Sequence, residues 1–153
     1  MSPEAVPRNR IGPAPDRDEI IRVVRLYVDG FGTREPAMFR EAFHPSARIS
    51  FTGPDGQLQE GRIIDGIEGW ANWDTKVSDR ILAVIQAGDV ATVVLGFDVR
   101  GDPARCWVDV HSLLRIDGIW KIMNKTATHA SRGDWAATES QLARMPVEHA
   151  DES

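Results

Sequence analysis

Apolar residues recur at helical spacing at Ile20, Val24, Tyr27 and Phe31, inside the segment DRDEIIRVVRLYVDGFG. Asp16 and Glu19 stand ahead of that stripe in capping-box spacing, and Gly30 and Gly32 supply an end, so the segment predicts a helix. TREPAMFREAFHP predicts a second one, with Thr33 or Glu35 as cap, Pro36 in the first turn and Pro45 as its stop. A strand, ARISFTG, a turn at PDG and a short strand, QLQEGRI, follow. DGIEGWANWDTK then reads as a short third helix, with Asp65 and Glu68 as another capping pair.

From Asp79 onward the period changes to two. DRILAVIQA and VATVVLGFDVR flank Gly88-Asp89, and RCWVDVHSLLRI and IWKIMNKTAT flank Asp117-Gly118; both dipeptides signal two-residue hairpin turns. Helices first and antiparallel strands after predict an α+β fold with the helices laid on one sheet face.

The Asp117-Gly118 turn sets a register. With Ile116 opposite Ile119 and regular alternation, Trp107, Asp109 and His111 share a face with Trp120, Asn124 and Thr126. Carried across the GDPA connection, the same face takes Thr92, Val94, Gly96 and Asp98, with Asp98 beside a loop at the surface. The other face takes Val93, Leu95, Phe97, Val108, Val110 and Lys125. Both faces are largely apolar, so both need cover. Three helices cover one, and a second copy of the chain is expected against the other, giving a homodimer.

Composition narrows the function. The 153 residues suffice for one domain with a sizeable core. A net charge of -5, with Arg scattered singly, argues against nucleic acid and anionic membrane as partners. Cys106 is the only cysteine, which excludes an internal disulfide and suits a reducing cytoplasm; it reads as a small buried apolar residue. The N-terminal stretch lacks the apolar core of a signal peptide, and no apolar run reaches membrane-spanning length. The four histidines show no paired ligand spacing, so no metal is expected. Residues 1–15 read as a flexible arm, 16–131 as a single domain, and 132–153 as a tail with a short helix around Ala136 to Met145.

The segments RVVRLYVDGF, AFHPSARI, AGDVATVVL and DVHSLLRIDGIWKIMNK carry a resemblance. Together with the order of elements, they resemble the nuclear-transport-factor-2-like superfamily, which includes ketosteroid isomerase and the SnoaL-like cyclases. They resemble most the branch named for lumazine binding. The resemblance spans roughly Asp18 to His129. It implies a cone-shaped fold: a curved, mostly antiparallel sheet with three N-terminal helices on its concave face. It also implies a deep pocket between the two, frequent dimers, and acid/base chemistry without metal or organic cofactor.

Asp109 and His111 lie two apart on one strand, so both point the same way. One reading makes His111 a general base oriented by Asp109, with Asn124 donating to a carbonyl or oxyanion. A second makes them a structural network that fixes the strand pair, and a third leaves them on a wet face. Tyr27, Trp70, Trp107, Trp120 and Thr126 are candidates to line the pocket, Trp120 being equally a core anchor. Lys125, projecting from the other face, reads as solvated or as part of the dimer interface. The functions in view are a cofactor-independent lyase, isomerase or cyclase acting on a small ring-containing molecule, a binding protein for a small heterocycle, and a structural dimer.

Overall fold

The computed structural model describes residues 14–100 and 102–143. The arm before residue 14 and the tail beyond residue 143, Met145 included, lie outside the described residues. Helices α1 (Ala14–Gly30) and α2 (Pro36–Ala42) come first, with Pro36 in the first turn of α2. Strands β1 (Phe43–Thr52) and β2 (Leu58–Arg62) lead through a 3-10 turn (Ile63–Asp65) to the five-residue α3 (Ile67–Ala71). Then come β3 (Val77–Ala87), β4 (Val90–Val99), β5 (Asp102–Ile116), β6 (Ile119–His129) and α4 (Arg132–Ala143). The fold is α+β, with four helices and one six-stranded open sheet in the order β2-β1-β6-β5-β4-β3. Only the β1–β6 pairing is parallel.

Several departures from the expected elements have local causes. Pro45 does not stop α2; the helix ends at Ala42 and the chain is already extended at Phe43, with Pro45 in an irregular stretch of β1 where the register against β6 shifts. A proline is tolerated in a strand at such an irregularity because no ladder bond is required of it. The third helix is one short turn capped by Gly66, and neither Asp65 nor Glu68 supplies a side-chain cap.

Both hairpins form as expected. Asp117 (φ 52°) and Gly118 (φ 80°) take the left-handed backbone that a tight two-residue turn between twisted strands needs, and Ile116 pairs with Ile119. The register set there does not survive the length of β6. Leu113 pairs with Ile122 but Ser112 pairs with Asn124, so Met123 is an extra residue. This bulge inverts the alternation beyond it. His111 faces Lys125, and Asp109 faces Ala127. A second irregularity, where Asp98 pairs with Cys106 but Val99 with Asp102, shifts β4 against the expectation. Val93, Leu95 and Phe97 therefore share a face with His111, Asp109 and Trp107.

That inner face packs on the stripe of α1, and Ile20, Val24, Tyr27, Leu95, Leu113, Trp120 and Ile122 form the centre of the core. The outer face is covered at one end by α4. Trp135 lies over Gly96 with Leu82, Cys106, Val94 and Val108 around it, and its Nε1 donates to the Trp107 carbonyl at 3.0 Å. A Cβ on Gly96 would stand 2.4 Å from the indole, so only glycine admits this contact. Ser131 and Asp134 cap α4 reciprocally, and Arg132 reaches Asp98, which also pairs with Ser78. Asp98 is accordingly buried and ion-paired, not free at the surface as its position beside a loop suggested.

Candidate functional site

Tyr27 is the third residue of the α1 stripe and points across the core at β5. Its hydroxyl donates to Oδ2 of Asp109 at 3.0 Å, and both residues are essentially buried. Lys125, delivered inward by the β6 bulge, places Nζ 3.7 Å from the same oxygen. His111 places Nε2 3.6 Å from it. Both of these distances exceed hydrogen-bond range, so Lys125 makes a close charge contact while the His111 ring lies beside the carboxylate without bonding it. Neither His111 ring nitrogen has a hydrogen-bond partner among the described residues.

Above Asp109 lies a cavity of about 200 Å³ lined by Tyr27, Phe31, Ile49, Phe51, Trp70, Trp73, Phe97, Trp107, Asp109 and Lys125. Its only charged groups are Asp109 and Lys125, and most of its wall is aromatic. Tyr27 stacks on Phe97, the rings inclined by 27° with 5.8 Å between centroids, and is edge-on to Trp70 at 5.7 Å. Lys125 Nζ stands over the faces of Tyr27 (5.2 Å) and Trp70 (5.3 Å), which compensates part of the cost of removing the ammonium from water. Phe51, about one-third exposed, stands at the solvent side.

The electrostatics follow from this packing. Burial pushes the Asp109 carboxyl up, but Lys125, His111 and Tyr27 together outweigh it and hold the group below the ordinary carboxylate value. Burial pulls the His111 imidazole below its ordinary value; Asp109 opposes that shift and Lys125 adds to it. Tyr27 is pushed well above the phenol range by burial and by the Asp109 charge. At neutral pH the site holds a carboxylate, an un-ionised phenol and a neutral imidazole.

Of the residues singled out in the sequence, Asp109, Tyr27, Trp70 and Trp107 meet at the cavity. His111 touches Asp109 but lies beneath the Tyr27 ring, 5.1 Å between centroids, and is not part of the cavity wall. Trp120 is a core residue, with its indole under Arg115. Asn124 and Thr126 are exposed on the outer face, because the Met123 bulge turns them away and turns Lys125 in. Regular alternation gave no sign of Lys125. Phe31 belonged to the predicted α1 stripe, but that stripe could not say it meets the cavity. Among the described residues, no group of three His, Cys, Asp or Glu side chains is arranged to hold a metal ion. No described helix is long and apolar enough to cross a membrane.

The family model described as "Putative lumazine-binding" matches residues 15–127. The chain belongs to this family. The matched segment of this lumazine-binding-family member runs from α1 into β6 and contains every residue of the cavity wall. Its fold is shared with solved structures. An NTF2-like protein of unknown function from Shewanella baltica OS155 superposes with a TM-score of 0.66 at 20% identity, covering 77% of this chain and 96% of that one. One from Methylobacillus flagellatus KT gives 0.64 at 25% identity, covering 78% and 96%. A protein described as a "putative ketosteroid isomerase", from Shewanella frigidimarina NCIMB 400, gives 0.55 at 12% identity, covering 71% and 94%. No curated protein matches the sequence. The chain is thus NTF2-like in fold, as the resemblance of its segments implied.

Proposed function

We propose that this protein binds a small, planar, ring-containing molecule in the aromatic cavity above Asp109. The observation that carries the reading is the composition of that wall: flat rings on most sides and one carboxylate–ammonium pair at the base. Pockets of this kind derive affinity from apolar contact and orientation from a few convergent polar groups. A volume of about 200 Å³ is below the range for drug-sized ligands and suits one or two fused rings. Pre-set rings also limit the entropy cost of binding, because few rotamers are left to freeze.

Turnover is the second reading, as a cofactor-independent lyase, isomerase or cyclase with Asp109 as proton acceptor. The Tyr27 hydroxyl beside Asp109 favours it, since it would place a neutral donor next to a base. The lowered Asp109 carboxyl weighs against it, because an efficient general base sits near the working pH. Binding without turnover is therefore the stronger reading.

The homodimer belongs to the same proposal. Val90, Val110, Leu114, Ile116 and Ile119 form an exposed apolar strip on the part of the outer face that α4 leaves open, and a second copy of the chain is its occupant. Sedimentation of the wild type as a dimer and of Val110→Lys as a monomer is the expected result; a wild-type monomer refutes it.

A thermal-shift screen against aromatic heterocycles, pterins and flavins tests the pocket. A ligand at about a hundred times its dissociation constant adds about 2.7 kcal/mol. For a chain of this size that raises Tm by roughly 5–10 °C. Incubation of each hit with the protein, followed by product analysis, separates binding from turnover.

A further inference from the structure

The base of the cavity holds one nucleophile that ring binding alone leaves without a task. Lys125 Nζ stands 3.7 Å from Asp109 Oδ2, beyond hydrogen-bond range, and over the faces of Tyr27 and Trp70 at 5.2 and 5.3 Å. Both of those rings, and Lys125 itself, line the cavity. Among the described residues, the unbonded polar side-chain atoms that the fold seals from solvent include both ring nitrogens of His111 but not Lys125 Nζ. The amine is therefore reachable from the cavity, and the imidazole is not. The Tyr27 hydroxyl is committed to Asp109, and the Cys106 thiol packs with Trp135 on the other side of the sheet. The other two lysines lie elsewhere: Lys76 is exposed, and Lys121 donates to the Glu41 carbonyl.

We propose that Lys125 forms a reversible imine with a small aromatic aldehyde or ketone held in this cavity. The ring-binding reading above is its premise, and the amine adds a covalent bond to it. Lysines in cavities poor in water are the usual amines to attack a carbonyl carbon. The nitrogen first gives a proton to Asp109 Oδ2, the carboxylate oxygen beside it. Its lone pair then forms the N–C bond, and the π electrons of the C=O move onto oxygen. That proton and a second one from nitrogen pass to the oxygen, the C–O bond breaks, and water leaves. The third proton stays on nitrogen. One ammonium and one carbonyl become one iminium and one water, with nothing oxidised or reduced.

Charge decides among the electrophiles that an amine can attack. An acyl donor would turn the ammonium into a neutral amide and strand the Asp109 carboxylate in the core without its cation. An iminium keeps the positive charge beside Oδ2 and over the two ring faces. Flat walls favour a carbonyl conjugated to a ring, because the plane of the ring continues through the C=N bond. A cavity of about 200 Å³ suits such a molecule with one or two rings.

Incubation of the full chain with benzaldehyde and cyanoborohydride at neutral pH, followed by peptide mapping, tests the imine. The hydride donor reduces the iminium and fixes it as a benzylamine. Lys125 is expected to be modified at least about tenfold faster than Lys76 or Lys121, because the cavity holds the aldehyde against it. Excess benzyl alcohol, which has the ring without the carbonyl, is expected to slow modification of Lys125 alone. Propionaldehyde is expected to show no preference for Lys125. All of these are measured on the wild type, so no variant has to fold. Modification of the three lysines at equal rates overturns the imine. So does a preference for Lys125 that propionaldehyde shares or that benzyl alcohol leaves unchanged, since the amine is then merely accessible. Calorimetric titration with benzyl alcohol separates the two readings. Its binding alongside equal modification leaves the ring cavity standing without the imine, and absence of both overturns both.

Discussion

Tyr27 and Asp109, 82 residues apart, are joined by a hydrogen bond of 3.0 Å that ties α1 to β5, one of the two central strands of the sheet, through the floor of the cavity. The bond is buried and its acceptor is ionised, so it outweighs an ordinary surface contact. It also fixes the orientation of the carboxylate that faces the cavity.

Tyr27→Phe keeps the ring and removes the donor. The expected loss is about 1.5–3 kcal/mol of stability, the range for a hydrogen bond to a charged group. This appears as a Tm lower by roughly 3–12 °C for a chain of this length. An unchanged Tm would mean that the hydroxyl is satisfied equally well in the unfolded chain, and that the bond contributes no net stability.

Lys125→Met leaves Asp109 buried without its cation. Breaking a buried ion pair from one side costs about 3–5 kcal/mol, whereas replacing both members with apolar groups is near neutral or stabilising. The single variant is therefore expected to be far less stable in urea than wild type, and the Asp109→Leu/Lys125→Met double variant to recover most of the loss. If the single variant matches wild type, Lys125 is a solvated residue and does not belong to the site.

Acid should destabilise the protein in two windows. His111 has a folded value below its ordinary 6.5, so the unfolded chain takes up the proton first. Its stabilising effect is complete above about pH 6.5 and is lost as pH falls through the depressed folded value, at up to about 1.4 kcal/mol per pH unit. Asp109, lowered from 3.8, adds stability that is present above that value and lost as pH falls through its own folded value. Melting temperatures taken at about pH 7.5 and pH 5 should differ in wild type and converge in His111→Gln. A persistent difference in the variant would place the acid-sensitive group elsewhere.

Gly96→Ala sets a methyl group against the Trp135 indole, where the Cβ has only 2.4 Å. The expected outcome is displacement of α4, at an overpacking cost of about 1–3 kcal/mol. Hydrogen exchange should lose protection in Arg132–Ala143 while the α1 amides keep theirs. Uniform loss across the chain would show that α4 and the sheet unfold as one unit.

Much of this architecture was legible in the sequence because its signals are local. The α1 stripe, Pro36 at the start of α2 and Asp117-Gly118 at the hairpin each act within a few residues. Tyr27, Trp70, Trp107 and Asp109 were legible as cavity residues for the same reason: each follows from the face of its own element. Asn124, Thr126 and Lys125 were not, because their faces depend on whether Met123 is paired. Nothing in IWKIMNKTAT marks a bulge; no glycine or proline stands there. The side of β4 was lost in the same way at the Asp98/Val99 irregularity, although Val93, Leu95 and Phe97 are the more apolar set. The docking of α4 had even less local sign, since Gly96 becomes meaningful only with Trp135 over it.

The extra residue in β6 also has an evolutionary reading. Deleting Met123 would remove the bulge yet leave Asn124 opposite Ser112 and Lys125 opposite His111, whereas drawing Met123 into the ladder opposite Ser112 would bring Asn124 and Thr126 inward and turn Lys125 out, with no letter of the strand changed. A one-residue slip beyond Ile122 thus moves this strand between two recognition chemistries while leaving the core residues Trp120 and Ile122 in place. On such a scaffold, selectivity can diverge by gain or loss of a bulge as readily as by substitution in the cavity wall, and relatives with closely similar strands can prefer unlike molecules.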